Sequence, residues 1–348
     1  MDLKQSFIIA LTLGVIGLTS WEIYWRSQGK VPTFQDDKAL WASNRARVEK
    51  LTSEDYVFAG SSRIHFDVQL DVWEEYTGKR PVQLSMGGAS PLPTIRDIAR
   101  NTNFAGTLVV GITPPLFFST TFPQAPPILG IQERVDYYHD RTYAQRINHW
   151  LSMPLQRNLA TIHSYEDLVS GNFDLKSLLQ NIKIGNRTGH PQMPPFPDFG
   201  FSSEERNVRM LDRMVTDPAF AQSIIDVWMF CLKGGPNMPP PDREGTTAFF
   251  LEDVALITQR GGKVILLRCP SAGQFRELES NITPREAFWD QLVVQSGLPA
   301  YHFEDFGQLQ GLRTPELSHL AAPDADIFTR ELIAIMIKDE QIPNHQTN

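Results

Sequence analysis

The sequence predicts an α/β fold: a doubly wound, flavodoxin-like parallel sheet of about five strands, with an N-terminal transmembrane helix and a large, mostly helical or loop insertion after the third strand. Three observations carry this. Short apolar runs alternate with segments of helical spacing, and the run at residues 107–112 (TLVVGI) is continuous, as in a strand buried on both faces. The alternation stops between about residues 115 and 240 and then resumes. Residues 7–18 (FIIALTLGVIGL) carry no charge.

The apolar character at the N-terminus continues through Trp21, Ile23, Tyr24 and Trp25, with Glu22 as the single interruption. That gives roughly the twenty residues a helix needs to cross hydrocarbon, with an aromatic cluster at the outer interface. Lys4 precedes the span and Arg26 and Lys30 follow it, so flanking charge scarcely selects an orientation. Thr19-Ser20-Trp21-Glu22 is a poor signal-peptidase site, so the expectation is an uncleaved anchor with the rest of the chain periplasmic or extracellular. Residues 1–29 read as the anchor and its flank, 30–55 as a stalk and first helix, and 56–345 as the α/β domain.

Within that domain, strands are expected at 56–60, 81–84, 107–112, 263–267 and near 301–303. Helices are expected at 68–76, 93–100, 246–259, 285–295 and 325–337. The insertion shows helical pieces at 204–214 and 219–232 and no convincing strand; it reads equally as a lid over the sheet edge or as a packing or oligomerisation element.

The totals exclude several classes. At 348 residues, 41% hydrophobic and 21% charged, the chain suits a folded protein with an ample core. A net charge of −8 offers no broad basic face, so no nucleic-acid partner is expected. The two cysteines, Cys231 and Cys269, belong to no metal-ligand spacing, and neither a metal nor another cofactor is expected.

In an open parallel sheet, ligands bind outside the carboxyl ends of the strands. Those ends deliver Gly60-Ser61-Ser62-Arg63, then Gly87-Gly88, then Gly111-Ile112-Thr113-Pro114, then Arg268-Cys269; Glu316-Leu317-Ser318-His319 comes just before the last helix. A serine hydroxyl becomes a nucleophile only with a base in reach, and the base works best when a third group orients it. Ser62, His319 and Glu316 supply these types. The amides of Ser62 and Gly88 and the hydroxyl of Thr113 are candidate oxyanion donors. Arg63 and Arg268 are candidates to complete that hole or to bind an anionic substrate. His65 is an alternative base, Asp305 or Asp324 an alternative orienting acid, and Cys269 reads as a small buried hydrophobe.

Taken together, Gly60-Ser61-Ser62, the segment Gln83-Leu84-Ser85-Met86-Gly87-Gly88-Ala89-Ser90-Pro91 and Glu316-Leu317-Ser318-His319 resemble the first, second and closing blocks of the SGNH/GDSL hydrolases. The resemblance spans residues 56–114 and 260–337. It implies a serine nucleophile at Ser62, an oxyanion amide at Gly88 and a catalytic base at His319, with Glu316 in place of the usual Asp. With the anchor included, the chain looks most like the membrane-anchored branch, whose members act in lipoteichoic acid D-alanylation and exopolysaccharide O-acetylation. The resemblance thus implies an esterase or acyltransferase acting on acyl esters, such as acetyl, of an envelope polysaccharide, with envelope-assembly proteins as partners. One block departs from the family: Gly-x-Asn-Asp is replaced by Gly111-Ile112-Thr113-Pro114. Losing one oxyanion donor can cost on the order of 100- to 1000-fold in rate. That departure supports a second reading, a non-catalytic scaffold that binds a polymer or a partner.

Overall fold

A computed structural model describes residues 2–119, 125–162, 196–234 and 240–344, with the backbone alone for 231–234. The five-stranded sheet comprises β1 (Tyr56–Ala59), β2 (Val82–Gln83), β3 (Thr107–Gly111), β6 (Lys263–Arg268) and β7 (Ala300–His302). Its order is β2-β1-β3-β6-β7 and every pairing is parallel. Phe58 pairs with Val109, Val109 with Ile265, and Leu267 with Tyr301. The fold is therefore the expected doubly wound α/β sheet, carrying its insertion between β3 and β6.

The strand pleat explains why these runs are apolar throughout. Val57, Ala59, Leu108, Val110, Val264 and Leu266 point to one face, where Trp41, Ile95, Ile98, Phe250 and Ile257 cover them. Tyr56, Phe58, Val109, Ile265 and Leu267 point to the other, under Trp73, Phe328, Leu332 and Ile333. Both faces are covered, so the central strands β1, β3 and β6 do not alternate polar with apolar. Trp41 lies on a helix, Lys38–Arg47, that is integral to this packing, and its indole Nε1 donates to Leu84 O at 2.9 Å.

The helix Leu3–Ser27 is long and apolar enough to cross a membrane, and none of its residues is buried in the protein.

The insertion differs from expectation in one respect. Residues 204–214 do not form a helix: β4 (Gly200–Ser202) and β5 (Val208–Met210) make an antiparallel pair, followed by a single helical turn, Arg213–Thr216. Arg206 stands in the connecting turn at φ 64°, a left-handed conformation that no helix accommodates. Its buried guanidinium bonds Asp36 and the carbonyls of Gln83 and Ser85, which holds the turn against the sheet. The helix expected at 219–232 is present as Pro218–Gly234.

β1 and β3 are neighbours from which the chain departs in opposite directions, so the crevice between their carboxyl ends is the topological switch point. Ile64 fills the space beneath it. A Cβ on Gly60 would come to 2.5 Å from Ile64 Cγ2 and 3.0 Å from Gly111 O. Gly60→Ala is therefore expected to destabilise the protein by about 2 kcal/mol, read as a lowered urea midpoint in detergent; an unchanged midpoint would show that this contact is slack.

Candidate active site

The site starts at the end of β1. Ser61, buried, caps the helix Ser62–Asp67 by accepting from Arg63 N at 3.4 Å. Its hydroxyl also lies 2.6 Å from Thr113 Oγ1, at the end of β3. With Ser61 Oγ accepting from Arg63, its own hydrogen can go to Thr113, which leaves the Thr113 hydrogen free for another acceptor. Ser62 follows as the first helical residue. Among the described residues, neither its amide nor that of Gly88 donates to any group. Gly88 has φ 66°, and a Cβ on Gly87 would stand 3.8 Å from Ser62 Cβ, so the glycine pair runs alongside the serine.

Glu316 and His319 meet directly. Glu316 Oε1 accepts from His319 N at 2.6 Å and lies 2.9 Å from His319 Nδ1. A carboxylate only accepts, so Nδ1 carries the proton and Nε2 presents its lone pair. Nε2 is buried and has no hydrogen-bond partner among the described residues. The other carboxylate oxygen, Oε2, accepts from Trp228 Nε1 at 2.6 Å. Leu317, between the two, is held at φ 73°, an uncommon conformation for a bulky residue.

The serine helix and this loop are fastened together. Arg63 Nε reaches Ser318 Oγ at 3.4 Å, Asp67 Oδ1 accepts from Leu320 N at 2.8 Å, and the Phe66 ring packs on the His319 ring with centroids 4.7 Å apart. Phe66 and Ser62 are four residues apart on one helix and so share a face, about 5–6 Å between Cβ atoms. Ser62, His319, Gly88, Thr113 and Arg63 all line one cavity of about 700 Å³, whose walls include Phe34, Phe199 and Phe275.

Both arginines share one carboxylate partner. Arg63 forms a buried ion pair with Glu279, Nη2 to Oε1 at 2.6 Å. Arg268 is buried and reaches the same carboxylate at 2.6 Å; burial pushes its guanidinium down to about 10. His65 is occupied by Arg206 O at 2.8 Å, and burial with the nearby Arg206 charge lowers it to about 3, so it presents no base at neutral pH. Asp305 is paired with Arg285 and Asp324 with Arg313. Cys269 is buried and free, its thiol pushed up by burial; the side chain of Cys231 lies outside the described residues. No group of three or more His, Cys, Asp or Glu among the described residues is placed to hold a metal ion.

Sequence reading missed Trp228 and Glu279. Trp228 is 88 positions from Glu316 and belongs to the insertion; Glu279 lies on a helix, Gly273–Ile282, that sequence spacing did not mark. A carboxylate downstream of a strand-end arginine was the one available signal for Glu279.

No family model matches the chain, and no curated protein matches it. Among solved structures, the chain is similar to a Bacteroides fragilis protein provisionally assigned as an acylhydrolase, at 12% identity over 88% of this chain and 100% of that one, with a TM-score of 0.36.

Glu279 dictates an acid response. Burial disfavours its charge, but Arg63 and Arg268 outweigh that and hold its carboxyl at about 2 against an ordinary 4.5. A depressed carboxyl stabilises the fold above its unfolded value and loses that contribution as pH falls from about 4.5 towards 2, here on the order of 3 kcal/mol. Glu279→Gln is therefore expected to lower the thermal midpoint most near neutral pH, with the gap from wild type narrowing below pH 4.5. A gap independent of pH would contradict the pairing.

Proposed function

We propose that the protein is a membrane-anchored, extracytoplasmic serine esterase or acyltransferase of SGNH type, acting on an acyl ester, such as acetyl, of a cell-envelope polysaccharide. One observation carries the reading: His319, held by a carboxylate and with a buried Nε2 that has no partner among the described residues, lines the same cavity as Ser62.

In the proposed reaction, Ser62 Oγ attacks the ester carbonyl while its proton passes to His319 Nε2. The carbonyl oxygen gains negative charge and is met by the amides of Ser62 and Gly88 and by the Thr113 hydroxyl. The tetrahedral intermediate collapses, and the leaving sugar oxygen takes the proton from Nε2. Water or a second sugar hydroxyl then gives its proton to Nε2 and attacks the acyl-serine carbonyl, and the second tetrahedral intermediate expels Ser62 Oγ, which takes that proton back from Nε2. Glu316 stabilises the imidazolium and fixes its tautomer. Ser62 and Nε2 are not hydrogen-bonded here, and catalytic contacts of this kind commonly close only with substrate in place.

The aromatic walls of the cavity suit the apolar faces of sugar rings as well as an acyl group. A second reading, a non-catalytic scaffold binding a polymer or a partner, is favoured by Thr113 standing where the SGNH family has its Asn donor.

A fluorophosphonate probe separates the two. It is expected to label the wild-type chain at Ser62, to leave Ser62→Ala unlabelled, and to react with His319→Ala at least about 100-fold more slowly. An unlabelled but well-folded wild type would leave the scaffold reading. Trp228→Phe removes one hydrogen bond to the buried Glu316 carboxylate, which is expected to lower the thermal midpoint by a few degrees and, by loosening the acid, to slow Ser62 labelling about tenfold. An unaltered labelling rate would show that Trp228 does not position the acid.

A further inference from the structure

The helix Tyr143–Asn158 in the insertion buries one residue, Met153. Tyr143, Ile147, Trp150, Leu151 and Leu155 are all exposed, Trp150 by 72%. Their spacing of 0, 4, 7, 8 and 12 residues places them on one helical arc. An apolar arc of this width facing solvent marks an interaction surface.

Two further observations identify its partner. First, the end of this helix is bound to the apolar N-terminal helix. Arg26 Nη2 donates to Asn158 O at 2.9 Å, and the Glu22 carboxylate accepts from Ala160 N at 2.9 Å and Thr161 N at 3.0 Å. These contacts fall beside the cluster of Trp21, Tyr24 and Trp25, where a membrane-spanning helix meets the headgroup region. The exposed arc is thereby held at the level of the bilayer surface. Second, in a chain with net charge −8, residues 143–158 contain no Asp or Glu and carry two arginines, Arg146 and Arg157, the latter paired with Glu204.

We propose that Tyr143–Asn158 lies in the membrane interface, with its apolar arc among the outer acyl chains and Arg146 at the headgroups, as interfacial helices do. This rests on reading Leu3–Ser27 as a retained anchor, whose last turns are bonded to the folded domain through Glu22 and Arg26. The α/β domain is then held to the bilayer at two places, which fixes its tilt and the height of the cavity above the lipid.

The test uses the full chain in nanodiscs of mixed phosphatidylcholine and phosphatidylglycerol carrying lipids brominated either near the headgroup or deep in the acyl chain. Subtracting the emission of Trp150→Phe from that of wild type isolates Trp150, and Trp21→Phe reports the anchor in the same way. The proposal expects Trp150 to lose most of its emission to the shallow bromines and less to the deep ones. Quenching of Trp21 with Trp150 unchanged would overturn the docking and leave the anchor standing; quenching of neither would overturn both. If Trp150 stays unquenched while Leu151→Ser with Leu155→Ser dissociates a dimer in detergent, the arc belongs to a second copy of the chain and the proposal fails.

Discussion

The fastening of the helix Ser62–Asp67 to residues 318–320 is the constraint on which the candidate site depends. Arg63 reaches Ser318, Phe66 lies on His319, and Asp67 receives Leu320 N, so one face of a six-residue helix sets the serine relative to the histidine. Burial raises the Asp67 carboxyl well above its ordinary range, and the Leu320 bond is the compensation that its first oxygen receives. From the other side, Ile64 fills the gap between Gly60 and Gly111, which fixes the same helix against the ends of β1 and β3. A short helix has little stability of its own and takes its position from such contacts.

The insertion belongs to the site as well as to the periphery. Its Trp228 holds the second oxygen of Glu316, and its Phe199 lies 5.7 Å from the His319 ring. The hairpin turn delivers Arg206, whose bonds to Asp36, Gln83 O and Ser85 O tie the insertion to the segment before helix Lys38–Arg47 and to the end of β2. Helix Lys38–Arg47 continues the same layer, burying Leu40, Trp41, Asn44 and Arg45 against the domain. Ordering of this insertion and orientation of the Glu316–His319 pair are physically linked.

Much of this was legible from sequence, for identifiable reasons. β3 and β6 declare themselves because burial on both faces leaves no polar residue in either run from Leu108 to Val110 or from Val264 to Leu267. Glu316 and His319 are three residues apart, so their pairing is local. The hairpin β4–β5 was not legible, since three-residue strands are too short to show a period of two. Trp228 was hidden for another reason: its contact joins elements far apart in the chain, and the helix around it looks like any apolar packing helix. Thr113 falls between these cases, because its place at the end of β3 could be read while its pairing with Ser61, across 52 residues, could not.

The structure of a phosphonate adduct tests the central claim, that Ser62 and His319 work as nucleophile and base, most directly. The phosphorus is expected on Ser62 Oγ, with one phosphonyl oxygen about 3 Å from the amides of Ser62 and Gly88 and with His319 Nε2 within hydrogen-bond reach of the adduct. An adduct on another residue, or one on Ser62 with Nε2 more than about 6 Å away, would contradict it.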